Sequence, residues 1–397
     1  MKRKDDFMFE EYAPNFKFIT FPDEVKRVYD LWQNCQDIDT ITAPLDKTKK
    51  IALFGAGLMG MNAIKTLQSR GYKIDYFIDN SPQKIGKEFH GIPIISVNDL
   101  STIADTVNIF ITSAVYLREI ILQLHEKQLL YLVKGVLIAI VPGDFEVYKR
   151  HGLGKIHDAK GYLVQNKDSI DRVFSLLADE QSKNVFYGML NFALTNDNWY
   201  LHSIKDIIFP QYFDKDILTF SEDECFVDAG VFDGNTTTDF ISQVNNKFRK
   251  ALLFEPDPNC YSMLVNRFSE NKDSRISITF EALYEKKTTI GFGGPLVGAS
   301  IDDSCEQKVQ TTTLDKFFEE GITFVKMDIE GSEMSALKGG TRVIRESQPQ
   351  LAICVYHKPS DLWDIPLYIH DLNPKYRIYL RHYSDYNAET VCYATTR

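Results

Sequence analysis

The 397-residue sequence predicts an α/β protein of two units, the second carrying a seven-stranded sheet that closes in an antiparallel hairpin. Three observations predict it. The length, at roughly 100–200 residues per domain, suggests two or three domains. Twice, at "KKIALFGAGLMGMNAI" and at "CFVDAGVFDGNTT", an apolar run enters a Gly-rich turn and then a helical pattern. That is how a parallel βαβ unit opens. Finally, the last two apolar runs are joined only by "DYNA", too short for a parallel crossover and suited to a hairpin.

Residues 1–48 read as an N-terminal helical extension, with one helix around "PDEVKRVYDLWQNC". "MKRKDDFMFEEY" starts with basic residues but no apolar segment follows, so it is not a secretory signal. No apolar run approaches the ~18 residues that span a bilayer. The net charge of -10, without any Lys/Arg run, argues against nucleic acid or an anionic membrane as the main partner. The six scattered cysteines, with no CxxC pair, read as reduced core residues. These features together suggest a soluble cytoplasmic protein.

Residues 49–144 form the first Rossmann-like unit, ending near Pro142-Gly143. "FGAGLMG" places Gly55, Gly57 and Gly60 as G-x-G-x-x-G after a strand and before a helix. Asp79 ends the second strand 19 residues after Gly60, near the spacing for a ribose contact. A nucleotide or nucleotide-sugar is the expected ligand. "YFIDNSPQKIGKEFHGIPIISVNDL" resembles the N-terminal Rossmann-like domains of sugar-modifying proteins, some of which bind nucleotide-sugars. No Tyr-x-x-x-Lys pair follows, since Tyr116 is succeeded by Ile120, and roughly 95 residues leave little room for a substrate half. A binding or docking module fits better than a second enzyme, with a vestigial fold as the alternative.

Residues 145–222 have helical periodicity, as in "DSIDRVFSLLADEQSKNVFYGMLNFAL", and read as a connector or lid. Residues 223–397 then supply seven strands: "CFVDAG", "ALLFEP", "ISITFEAL", "TFVKMDIEG", "QLAICVYH", "YRIYLRHYS" and "ETVCYATT".

In an open parallel sheet, ligands bind beyond the carboxyl ends of the strands. The loop from Asp228 to Gly234 falls there. A pyrophosphate would favour an uncharged loop facing a helix N-terminus, whereas Asp228 and Asp233 would repel it. Glu255 ends the next strand, 27 residues after Asp228, where a carboxylate can accept both ribose hydroxyls. An amino-acid nucleoside with a cationic centre and no phosphate has both features, which describes S-adenosylmethionine. The bland alternative makes Asp228 a helix cap and Glu255 a solvated strand-end charge.

"FVDAGVFDGNTT", "FEPDP", "TTTLDKFF", "VKMDIEGSEMSALKGG" and "ETVCYA" together resemble the FkbM family of S-adenosylmethionine-dependent methyltransferases, over about residues 225–397. The resemblance implies a seven-stranded methyltransferase fold and methyl transfer to a hydroxyl, often on a sugar or polyketide. It implies that Asp228, Gly230, Phe232, Gly234, Asn235 and Glu255 hold the cofactor and that Ala282 and Leu283 border the adenine.

The chemistry suggests the rest of the site. Alkylating a sugar hydroxyl requires a base or a metal to take up its proton. Asp328 and Glu330 end the fourth strand and His357 the fifth, as a base with its orienter or as ligands of a divalent ion. Ser332 reads as a helix cap, Glu333 as a cap charge and His382 as a satisfied strand histidine. The expected activity is O-methylation of a sugar, nucleotide-sugar or glycolipid, with a homo-oligomer left open. An NAD(P)-linked oxidoreductase run by the first unit and a non-catalytic nucleotide-sugar sensor are the rivals.

Overall fold

A computed structural model describes residues 9, 12–33, 42, 45–46, 48–113, 116–137, 153, 156, 158–269, 273–293, 300–301 and 305–397. Cys35 and the expected boundary at Pro142-Gly143 lie outside the described residues. The chain divides into two compact units. One comprises Lys17–Arg150 with Ser384–Tyr386, the other Met1–Phe16, His151–Tyr383 and Asn387–Arg397.

The first unit carries β1 (Lys50–Phe54), β2 (Tyr76–Ile78), β3 (Glu88–Phe89), β4 (Ile92–Ile95), β5 (Val107–Ile111) and β6 (Val133–Val136). Their order is β3-β4-β2-β1-β5-β6, parallel except for β3–β4. The sheet is buried on both faces, which is why its strands read as near-continuous apolar runs. Leu53, Phe77 and Phe110 pack there with Leu67 of the helix Leu58–Gln68. The β3–β4 hairpin turns on His90 and Gly91, both left-handed (φ 51° and 73°). A two-residue turn of that kind matches the twist of the strands it joins.

The second unit adds β7 (Cys225–Ala229), β8 (Lys250–Phe254), β9 (Ile276–Thr279), β10 (Ala282–Leu283), β11 (Thr289–Gly293), β12 (Ser300–Ile301), β13 (Lys308–Thr312), β14 (Phe324–Met327), β15 (Gln350–Cys354), β16 (Arg377–His382) and β17 (Thr390–Thr395). Seven of these form one sheet, ordered β16-β17-β15-β14-β7-β8-β9. It is parallel from β15 to β9 and antiparallel at β16–β17 and β17–β15, so the terminal hairpin is present.

Two expectations change here. "ISITFEAL" is not one strand. The chain bends at Phe280 and Glu281 beyond the edge strand β9, and Ala282–Leu283 pairs in parallel with β13 in a separate four-stranded sheet, β10-β13-β11-β12. Leu283 thereby joins the main core instead of extending an edge.

The helical stretch read as a connector or lid is packed into this unit. Helices Lys167–Leu176 and Glu180–Thr195 are separated at Leu177, which bridges Ile378 of β16, and Asp179 caps the second by accepting from the Ser182 amide at 2.7 Å. Arg381 of β16 is buried against Asp179 and Asp214, each at 2.8 Å. No helix among the described residues is long and apolar enough to cross a membrane.

Candidate active site

The loops after β7, β8, β14 and β15 enclose a cleft in the second unit. Its walls include Gly230, Phe232, Glu255, Ala282, Leu283, Asp328, Glu330, Tyr356 and Glu389. Of the residues expected around a cofactor, Gly230, Phe232, Glu255, Ala282 and Leu283 thus line one space. Asp228, Gly234 and Asn235 do not line it.

Asp228 is fully buried, and its carboxylate accepts from the Thr237 hydroxyl at 2.7 Å and pairs with Lys326 Nζ at 3.0 Å. Lys326, inside β14, also donates to the Gly230 carbonyl at 2.6 Å. Burial alone would lower the Lys326 pKa, but Asp228 and Asp328 outweigh it and hold it above the ordinary range. Gly230 sits at φ 74°, and a Cβ there would fall 1.8 Å from the Asp328 carbonyl oxygen. Glycine is therefore required for chain to pass chain, and ligand approach is secondary. Gly234 is similarly confined by Leu264 and Phe268, and Asn235 accepts from Arg267 at 3.0 Å.

Glu255 accepts from the amides of Phe232 and Asp257, each at 2.9 Å, which ties the first loop to the second. Burial raises its pKa against those two hydrogen bonds.

The three residues expected to act chemically do converge. Asp328 Oδ2 accepts from the Tyr212 hydroxyl at 2.9 Å and Oδ1 from the Tyr356 hydroxyl at 3.0 Å. His357 Nε2 lies 3.4 Å from both Asp328 and Glu330, and its Nδ1 is 3.0 Å from Glu333. Burial would lower the His357 pKa, but Glu333, Glu330 and Asp328 override it and hold the imidazole charged well above the ordinary range. Asp328 moves the other way. Burial is opposed by His357, Lys326 and the two phenols, and its carboxyl stays below the usual range.

Glu333 is more than a cap charge: it is fully buried, bonded to the Ile329 amide at 2.9 Å and paired with His357. Ser332 occupies the cap position of a short helix, Glu333–Lys338, without a side-chain capping bond. His382 is a strand histidine, with Nδ1 2.8 Å from the Thr390 hydroxyl.

Ligand atoms of Asp328, Glu333 and His357 lie within 4.8 Å of one another. Two oxygens and an imidazole suit a divalent ion, but only after His357 loses the proton its ion pairs retain. Sequence reasoning missed Tyr212, Tyr356, Lys326 and Glu389. The available signals were a lysine between Val325 and Met327 in an apolar strand and an acid opening the last strand's "ETVCYA".

In the first unit, Gly57 precedes the helix Leu58–Gln68, and a Cβ on it would meet nothing within 4 Å. Gly55 and Gly60 press together, since a Cβ on Gly60 would lie 2.3 Å from the Gly55 carbonyl. Asp79 closes the same loop, accepting from the Ala56 amide at 3.1 Å and pairing with Lys84 at 3.0 Å.

Residues 228–384 match the family model of the methyltransferase FkbM domain, and residues 46–138 that of the CoA binding domain. Among solved structures, a methyltransferase FkbM from Methylobacillus flagellatus KT is similar over 94% of this chain and 97% of its own, at 24% identity and a TM-score of 0.55. An rRNA methylase from Streptococcus thermophilus covers 44% of this chain and 86% of its own, at 16% identity and a TM-score of 0.30. A SAM-dependent methyltransferase from Aquifex aeolicus covers 45% and 85%, at 13% identity and a TM-score of 0.29. No curated protein matches the sequence significantly.

The seven-stranded sheet with its terminal hairpin, together with the matched domain, makes this protein a methyltransferase. Residues 228–384 match the methyltransferase FkbM domain, and residues 46–138, ahead of them in the chain, match the CoA binding domain.

Proposed function

We propose that the cleft binds S-adenosylmethionine and that its methyl group passes to a hydroxyl of a sugar or glycan precursor, held as a nucleotide-sugar or on a glycolipid. One observation carries this reading. Five carboxylates line the cleft (Glu255, Asp257, Asp328, Glu330 and Glu389), and no Lys or Arg lines it among the described residues. Such a lining favours a cationic nucleoside and repels the pyrophosphate of NAD(P). Carboxylates are also good acceptors for the hydroxyls of a sugar. A cytoplasmic setting belongs to the same reading, supported by the free, buried Cys225, Cys354 and Cys392.

Calorimetry tests the cofactor. Wild type should bind S-adenosylmethionine with micromolar-range affinity, on the order of -8 kcal/mol. Glu255→Gln keeps an acceptor for only one of the two loop amides and should weaken binding by roughly 1–3 kcal/mol. Unchanged affinity would remove the ribose assignment. Mass spectrometry of cell-surface glycans with and without the protein tests the acceptor, since loss of a 14-dalton increment (about one CH₂) marks the methylated group.

A divalent ion is the second reading, supported by the Asp328, Glu333 and His357 cluster. EDTA is expected to leave turnover unchanged, because the carboxylates around His357 favour its charged form, which must lose a proton before it can bind an ion. Loss of activity with EDTA, restored by Mg²⁺ or Mn²⁺, would reverse that choice. For the first unit we propose nucleotide or nucleotide-sugar binding at the Gly55–Gly57 turn. The CoA-binding-type match and the open space beside Gly57 support it.

A further inference from the structure

We propose that a basic cavity in the first unit, at the opposite end of β1 from the Gly55–Gly57 turn, binds the phosphate ester of a sugar. The proposal is independent of the methyl-transfer cleft. The cavity, about 450 Å³, lies where β1, β2 and β5 begin, with Lys50, Asp75 and Asn108 among its walls. That volume suits a small molecule. From Lys50 to Gly55 is roughly 16 Å, at ~3.3 Å per strand residue, so one phosphate cannot serve both places.

The cavity's charge is opposite to that of the chain. Lys49, Lys50, Arg70 and Lys73 line it against Asp46 and Asp75, in a protein of net charge -10. Both acids hold the walls in place. Asp46 accepts from the Thr48 amide at 3.0 Å and the Thr48 hydroxyl at 2.6 Å. Asp75 accepts from the Ile51 amide at 3.1 Å and pairs with Lys73 at 3.1 Å. Lys50 donates to a neutral partner, the Tyr76 hydroxyl, at 2.9 Å, and Lys49 makes no ion pair among the described residues. The positive charge extends to β6, where burial and then Arg27 and Lys49 lower the Lys134 pKa from its ordinary range. Lysines left uncompensated around a concave site concentrate an anion there.

Asn108 narrows the ligand further. It is 1% exposed, and its Nδ2 donates to the Asp46 carbonyl at 3.1 Å, which fixes the orientation of the amide. Its Oδ1 then has no hydrogen-bond partner among the described residues. A buried carbonyl oxygen without a donor is destabilising and calls for one. That oxygen repels a phosphate oxygen and accepts from a hydroxyl.

A sugar phosphate carries both groups, the phosphate for the lysines and a hydroxyl for Asn108. Lysine and arginine bind phosphate through charge-assisted hydrogen bonds. Asp46 and Asp75 do not oppose this ligand, because a carboxylate accepts from sugar hydroxyls while the lysines hold the phosphate. An extended polyanion would meet the same two acids without that compensation.

Calorimetry on the full chain tests this, at low ionic strength because salt screens exposed charges. Glucose-1-phosphate and ribose-5-phosphate are titrated beside inorganic phosphate and glucose. At least one ester should bind with a dissociation constant below about 1 mM, and several-fold more tightly than phosphate or glucose. Lys49→Glu breaks no ion pair and reverses the charge at the cavity wall, so it should weaken that binding by about ten-fold or more. Gly57→Val should leave it unchanged. Failure of both esters to bind wild type, or binding that survives Lys49→Glu, overturns the site. Loss of binding in Gly57→Val would move the phosphate to the glycine turn and overturns it as well. Equal affinity for inorganic phosphate overturns the sugar assignment and the part given to Asn108.

Discussion

Lys326 sits in the middle strand of a sheet buried on both faces, where an unpaired ammonium would be costly. It is tolerated because Asp228 lies 3.0 Å away and the Gly230 carbonyl 2.6 Å away. The pair therefore fixes the loop that forms the cleft floor, and Asp228 acts on the cofactor through that loop. Removing one partner of a buried pair leaves a buried charge, at a cost of ~3–5 kcal/mol. Lys326→Met is expected to lose that much stability in urea denaturation. Lys326→Met combined with Asp228→Asn should recover most of it, giving a coupling above about 1 kcal/mol. Additive losses would show that the two side chains are independent. The motif around Asp228 marked the right loop from sequence, because glycine beside a strand end has few uses. The carboxylate's partner was illegible, since Lys326 is 98 residues further on and only the sheet register brings β14 beside β7.

The strand–turn–helix elements were the most legible part, because apolar runs ending in glycine leave little choice of local structure. The failures fall on short or bent pieces. Strands of two residues, such as Ala282–Leu283 and Ser300–Ile301, carry no periodicity of their own and exist through tertiary pairing. The two Gly-rich turns also differ in a way their similar spelling hides. At Gly230 the missing side chain makes room for the Asp328 carbonyl, whereas at Gly57 it leaves open space ahead of a helix. Gly57 is not in the left-handed region, with φ -140°, so a β-branched residue can adopt its backbone. Gly57→Val should therefore keep an unaltered melting profile and lose thermal stabilisation by coenzyme A or UDP-glucose. Retained stabilisation by whichever of these shifts wild type would place the first unit's ligand elsewhere.

At the scale of the molecule, helical periodicity over 159–204 announces helices without saying what they pack against. The structure answers with the core: Leu163, Ile170, Val173, Val185, Phe186, Leu190 and Leu201 are essentially fully buried in one cluster with strand residues of the methyltransferase sheet. The Leu380 amide donates to the Ser182 hydroxyl at 2.9 Å, and the Asp206 amide donates to the His382 carbonyl at 2.7 Å. At about 1.5–3 kcal/mol per buried apolar side chain, those seven contribute on the order of 10 kcal/mol or more. That equals the net stability of a typical domain, about 5–15 kcal/mol. A chain of residues 223–397 should consequently fail to fold cooperatively. A chain of residues 151–397, which keeps the helices and loses Phe9, Tyr12 and Ala13 from the cluster and Phe16 packed against it, should melt cooperatively at a lower temperature than the full protein. Circular dichroism and calorimetry on the two chains check this, and a cooperative transition in the shorter one would mean that the helices decorate the sheet without stabilising it.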